Sequence, residues 1–141
     1  MGIQQLRAPA AGHLRAVGAG ERGSAVTDFI MVSALVAVLF VAVFQLGLAL
    51  HVRNTLISCA AEGARLGARA NADPDDGAAR ARQLIATSLS DRYARQVTAH
   101  VVDAGGVQAV AVEVVAPLPV IGPLGPDGAL RVTGRAFLET Q

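Results

Sequence analysis

No charged residue occurs between Phe29 and Leu50, and this run constrains the fold more than any other feature of the chain. At ~1.5 Å rise per residue it makes a helix about 33 Å long, enough to cross a hydrocarbon core of ~30 Å. Its polar members are few, Ser33 and Gln45. A helix this apolar on every side would need protein around its whole circumference to be buried in a soluble core. A chain of 141 residues leaves too little material for that. The run therefore reads as a single-pass membrane anchor with the lipid bilayer as its surroundings.

The rest of the chain suits one modest domain. The formal net charge is +1, with twelve basic and eleven acidic residues, so no basic field marks a nucleic-acid partner. A single cysteine, Cys59, excludes an internal disulfide, and the domain must hold together by packing. With four Phe, one Tyr and no Trp, that core is expected to be mainly Val, Leu, Ile and Ala. His13, His51 and His100 are too scattered to converge on a metal. Ser24 and Ser33 have no base beside them, and the glycines at 122, 125 and 128 alternate with prolines instead of forming a phosphate loop. No catalytic residue, metal site, cofactor or small-molecule substrate is expected, and the chain reads as a non-enzyme.

Residues 1–23, with Arg7, Arg15 and Arg22 against Glu21 and no sustained apolar period, read as a disordered leader. Gly47-Leu48-Ala49 fits a small-x-small signal cleavage triplet, but the apolar run before it is too long for an ordinary secretory signal. Arg15 and Arg22 precede the run, whereas Arg53, Arg65 and Arg69 follow it. Counting basic residues therefore leaves the orientation undecided.

Beyond Leu50 the helix is expected to continue to Ala70. Val52, Leu56, Cys59, Gly63, Leu66 and Ala70 recur at alternating spacings of four and three, forming one seam. Beside it runs a strip of small residues, Ala60, Ala64 and Ala68 with Gly63 and Gly67, that lets another helix approach closely. That helix could be the chain's own second one or belong to another subunit, and the two are compatible. Glu62 can pair with Arg65. Leu56-Ile57-Ser58-Cys59 resembles a lipoprotein lipobox, but His51, Arg53 and Asn54 separate it from the apolar run. Cys59 is thus read as a small seam residue.

Asp73-Pro74-Asp75-Asp76 starts a second helix, with Asp73 as N-cap and Pro74 in the first position. The loop lacks the ligand spacing of an EF-hand, so the carboxylates are assigned to capping. The helix is expected to run to about Ala94, with Ala81, Leu84, Ile85, Ser88 and Leu89 inward. From Gln96 the period changes to two. Two strands flank a turn at Asp103-Ala104-Gly105-Gly106, a proline-rich loop follows over 117–128, and a last strand covers about Leu130 to Leu138. The fold class is α+β: a single long N-terminal transmembrane helix extended out of the membrane, a second helix, and a small antiparallel sheet.

Gly23-Ser24-Ala25-Val26-Thr27-Asp28-Phe29, with Arg22 before it and the apolar helix after it, resembles the cleavage region of type IV pilin-like precursors. Ala60-Ala61-Glu62-Gly63-Ala64-Arg65-Leu66-Gly67-Ala68-Arg69 is similar to the segment that closes the short N-terminal region of TadE-like pilus assembly proteins, the minor pseudopilins of tight-adherence (Flp-type) pilus systems. The likeness covers about Arg22 to Arg69 and implies the following. A prepilin-type peptidase cuts between Gly23 and Ser24, leaving Asp28 as the fifth mature residue. The family usually carries Glu where this chain has Asp28, so the carboxylate survives with a shorter reach. Ala60, Glu62, Gly63, Ala64, Arg65, Gly67, Ala68 and Arg69 form the helix-packing motif. The partners are the peptidase, other pilin or pseudopilin subunits and the inner-membrane assembly platform. Under this reading residues 1–23 are a cleaved cytoplasmic leader, 24–70 the anchor and its extension, and 71–141 an extracytoplasmic α+β domain on the inner membrane. The alternative is an uncleaved single-pass envelope protein whose outer domain is a binding module unrelated to pili.

Overall fold

The structure, a computed structural model, describes residues 18–119 and 128–139, with side chains from Gly23 onward. The expected leader over 1–17 and most of the expected proline-rich loop, 120–127, lie outside the described residues. The elements in chain order are α1 (Gly18–Gly67), α2 (Pro74–Ser88), a single 3-10 turn (Asp91–Tyr93), β1 (Gln96–Asp103), β2 (Gln108–Pro117) and β3 (Ala129–Phe137). The fold is α+β: a long apolar N-terminal helix, a second helix and a three-stranded antiparallel sheet. The chain divides into two units, Met1–Phe40 and Val41–Gln141.

In the first unit every side chain from Gly23 to Phe40 is exposed. Phe29, Leu35 and Phe40 are each about seven-tenths accessible, so this stretch finds no apolar cover among the described residues. Helix was expected only from the Gly23 junction onward. Instead α1 starts at Gly18, and residues 18–23 are already helical. The alanine and glutamate that follow Gly18 are good helix formers.

In the second unit α1 changes role after Leu50. Val52, Leu56, Cys59, Ala60, Gly63, Ala64, Gly67 and Ala68 are buried, while Arg53, Asn54, Glu62 and Arg65 are exposed. The seam expected through Leu66 and Ala70 moves to Gly67 and Ala68, with Leu66 half-buried and Ala70 exposed. A 3.5-residue spacing belongs to a supercoiled pair, whereas a straight helix repeats every 3.6 residues and its buried stripe drifts. The helix stops at Gly67, short of Ala70, and Asn71 takes a left-handed φ of 67°. Asn tolerates that conformation better than most residues.

A capping box fastens the start of α2. Asp75 N–H donates to Asp73 Oδ1 at 3.0 Å, and Asp73 N–H donates to Asp76 Oδ2 at 3.2 Å. Such a cap stabilises a helix by about 1 kcal/mol. The helix buries Gly77, Ala78, Ala81 and Ile85, whereas Ser88 is exposed and Leu84 and Leu89 are half-buried. It ends at Ser88 and not near Ala94: Leu89 leaves the helical region although its N–H still donates to Ile85 O. Ser88, Ser90 and Asp91 are poor interior residues that favour turns. The break also swings Tyr93 inward, where it is 4% exposed.

The sheet order is β1-β2-β3, both pairs antiparallel. The turn between β1 and β2 uses Gly105 and Gly106 at φ 77° and 91°, with Gly106 N–H donating to Asp103 Oδ1 at 2.6 Å. Register places Val97, Val112 and Val114 on one face with Val132 and Gly134, and this face joins Leu56, Ala60 and Ile85 in the core. On the opposite face Ala109 and Ala111 are nearly inaccessible although outside that core. Their cross-strand partners are the larger Val102 and Phe137 for Ala109, and His100 and Arg135 for Ala111. Flanking side chains cover the small ones. Arg131 and Glu113 form an ion pair on that same face. The last strand is tied to α1 by Glu139 N–H, which donates to Ala68 O at 3.0 Å.

Candidate functional site: the junction and the small-residue strip of the long helix

The junction residues Gly23, Ser24 and Asp28 lie on successive turns of α1 and are all exposed. Thr27 Oγ1 donates to Gly23 O at 2.9 Å, so the carbonyl of the Gly23–Ser24 bond is held within the helix. A Cβ built on Gly23 would meet nothing within 4 Å. Nothing among the described residues requires glycine there, although glycine costs a helix interior about 1 kcal/mol relative to alanine. Asp28 is four residues from Ser24 and shares its side of the helix.

The small-residue strip is the reverse case. A Cβ on Gly63 would come within 2.5 Å of Gly77 O and 2.8 Å of Ala81 Cβ, and one on Gly77 within 2.5 Å of Gly63 O. Each helix thus needs glycine because the other backbone is already there. A Cβ on Gly67 would sit 3.3 Å from the Asp73 carbonyl and from Pro74 Cα. On the sheet side, a Cβ on Gly134 would collide with the backbone of Ala60 and Ala61. Ala60, Gly63, Ala64, Gly67 and Ala68 are therefore occupied from within the chain, by α2 and β3. The polar members of the motif point the other way: Arg65 and Glu62 form an exposed pair at 3.8 Å, and Arg69 is exposed. Such a pair contributes a few tenths of a kcal/mol.

Sequence reasoning passed over Gly77, Gly134 and Tyr93. The glycines are conspicuous only as helix and strand interiors, where glycine is unfavourable and so marks close approach. Tyr93 falls on the same helical spacing as Ile85 and Leu89, which hides that it is buried from the turn beyond α2.

Cys59 is 6% exposed. Burial pushes its thiol up from the ordinary value, opposed by a weaker hydrogen bond with Ser88. Alkylation of the folded protein should accordingly be slow, becoming complete on denaturation; rapid labelling under native conditions would mean that the strip opens. Because the folded thiol keeps its proton more tightly than the unfolded one, its contribution to stability is present below pH 9.0 and lost as pH rises further.

Residues 23–65 match the family model described as TadE-like protein. The match begins at the junction glycine, crosses the whole exposed apolar stretch and ends within the small-residue strip. No curated protein and no solved structure matches the chain.

Proposed function

We propose that the TadE-like segment makes this chain a membrane-anchored structural component of tight-adherence (Flp-type) pilus assembly, a minor pseudopilin processed after Gly23. The observation that carries this reading is the coincidence of the family match with a helix long and apolar enough to cross a membrane, none of whose most apolar window is buried in the chain. A glycine that the fold does not need stands at its start. The role is structural: the chain places an anchor, a carboxylate and a small domain, and its partners are pilin-type subunits, the assembly platform and the peptidase.

In this reading the leader lies in the cytoplasm and the α+β domain on the other side of the inner membrane. Cutting between Gly23 and Ser24 creates a new α-amine one helical turn from Asp28. A charge near the membrane end of an apolar helix is costly unless paired, and the amine and carboxylate neutralise each other. Intact-mass spectrometry of membrane fractions tests the first step. A mature chain beginning at Ser24 is expected with the peptidase present, and the uncut chain without it. A chain still carrying residues 1–23 where the peptidase is active would refute the pseudopilin reading.

A further inference from the structure

A groove of about 590 Å³ opens at one end of the sheet, lined by Arg92, Arg95, Gln96, Val115, Pro117 and Ala129 among others. Its level along the second unit's own part of α1 follows from the pairing. Gly134 lies against the backbone of Ala60 and Ala61, and just past the end of β3 Glu139 N–H reaches Ala68 O. Strand β3 therefore advances in the same direction as α1, and its first residues lie on the Leu50 side of Ala60. Between these two contacts the chain from Gly134 to Glu139 passes α1 from Ala60 to Ala68, and at the same pace Ala129 comes level with roughly Val52. Gln96 pairs near Pro117, which is opposite Ala129, so all three share this end. Leu48 and Leu130 both pack against the core, which brings the domain down to the last turn of the apolar run. When Leu50 ends a run that occupies a bilayer, the groove lies at the level of the headgroup layer.

Its charge suits that layer. Arg92 is fixed in place: its guanidinium lies 4.6 Å over the Tyr93 ring and donates to Tyr93 Oη at 2.5 Å. Among the described residues neither Arg92 nor Arg95 has a carboxylate partner; the ion pairs are Arg65 with Glu62 and Arg131 with Glu113. Asp91 is the one acid beside them in sequence, and exposed Arg53 adds a further positive charge at the same level. A planar guanidinium held by an aromatic ring retains donors suited to phosphate oxygens.

We propose that Arg92 and Arg95 bind the phosphate of an anionic phospholipid in the leaflet from which the domain emerges, docking the domain on the membrane surface. The proposal rests on the apolar run lying in a bilayer and is independent of cleavage and of pili.

The test uses the full chain in nanodiscs of mixed phosphatidylcholine and phosphatidylglycerol, counting by native mass spectrometry the lipids retained by the ejected protein. Phosphatidylglycerol should be retained in preference, and the preference should fall about fivefold for each arginine removed in R95Q and R92Q/R95Q. R95Q leaves the Arg92–Tyr93 contact intact and so separates lipid binding from folding. R65Q/R69Q, altered at the opposite end of the extension, should keep the wild-type preference. An unchanged preference in R92Q/R95Q overturns the proposal, as does an equal loss in R65Q/R69Q, which would indicate bulk charge. Erasure of the preference by inorganic phosphate at matched ionic strength would replace the lipid with a soluble anion. Failure of the chain to enter the discs would remove the anchor and the proposal together.

Discussion

Gly134→Val is expected to destabilise the α+β domain by about 3 kcal/mol, the upper range for overpacking a close-packed interior. The reason lies in what a side chain would meet. A Cβ at this position collides with the backbone of Ala60 and Ala61, and a helix backbone cannot yield by changing a rotamer. The alternatives are to push β3 away from α1 or to slide it along β2. Sliding by one residue would turn Val132 outward and Arg131 inward. Separation would expose Leu56, Val112 and Val114 and break the bond from Glu139 N–H to Ala68 O. Since domains of this kind are stable by only ~5–15 kcal/mol, the loss should be visible as early cleavage of the second unit in pulse proteolysis of the detergent-solubilised protein. Gly63→Ala should act in the same direction with a smaller effect, because its Cβ approaches Gly77 O and Ala81 Cβ. Gly47→Ala, where a Cβ meets nothing within 4 Å, is the matched control and should leave the protease pattern unchanged. A Gly134→Val protein as resistant as wild type would mean that β3 does not pack on α1 as described.

These glycines also mark where sequence reading stops. The apolar run, the switch to an amphipathic extension after Leu50 and the period-two stretches were legible because each is a local pattern whose period names its element. The cap at Asp73 and the turn at Gly105-Gly106 were legible for the same reason. Gly134 was visible only as one member of an alternating strand: that its neighbour is Ala60, far away in the chain, is a long-range fact that no local period encodes. Heptad spacing carries the seam through Leu66 and Ala70, whereas the packing of α2 and β3 against one helix follows the helix's own drift to Gly67 and Ala68. Residues 84–94 keep an apolar rhythm across Leu89, so the local pattern carries the second helix too far. What ends it is the turn preference of Ser88, Ser90 and Asp91 together with the burial of Tyr93. The junction differs again. Its residues are exposed, and a Cβ on Gly23 meets nothing within 4 Å among the described residues, so the packing of the described chain does not fix their identities.

The largest functional effects are therefore expected at that junction, and the two residues should fail in different ways. Under the proposed processing, Gly23→Leu places a bulky side chain beside the Gly23–Ser24 bond. The helix has room for it and leucine is the better helix former, so the precursor should fold, enter the membrane and remain uncut. Asp28→Ala leaves the Gly23–Ser24 bond and the hydrogen bond from Thr27 to Gly23 O untouched, so cutting should continue. What it removes is the carboxylate four residues from the new amine, on the same side of the helix. An unpaired charge carried into an apolar assembly costs several kcal/mol, enough to reduce incorporation at least a hundredfold at equal subunit concentration. Asp28→Glu keeps the charge, lengthens its reach and favours helix slightly, so it should match or exceed the wild type. Intact mass reports the cut, and immunoblotting of sheared surface fractions against membranes reports incorporation. The expected pattern is uncut and unassembled for Gly23→Leu, cut and unassembled for Asp28→Ala, and cut and assembled for Asp28→Glu. Normal assembly of Asp28→Ala would show that the carboxylate does no more than favour the helix start through its dipole, an effect of ~0.3–1 kcal/mol.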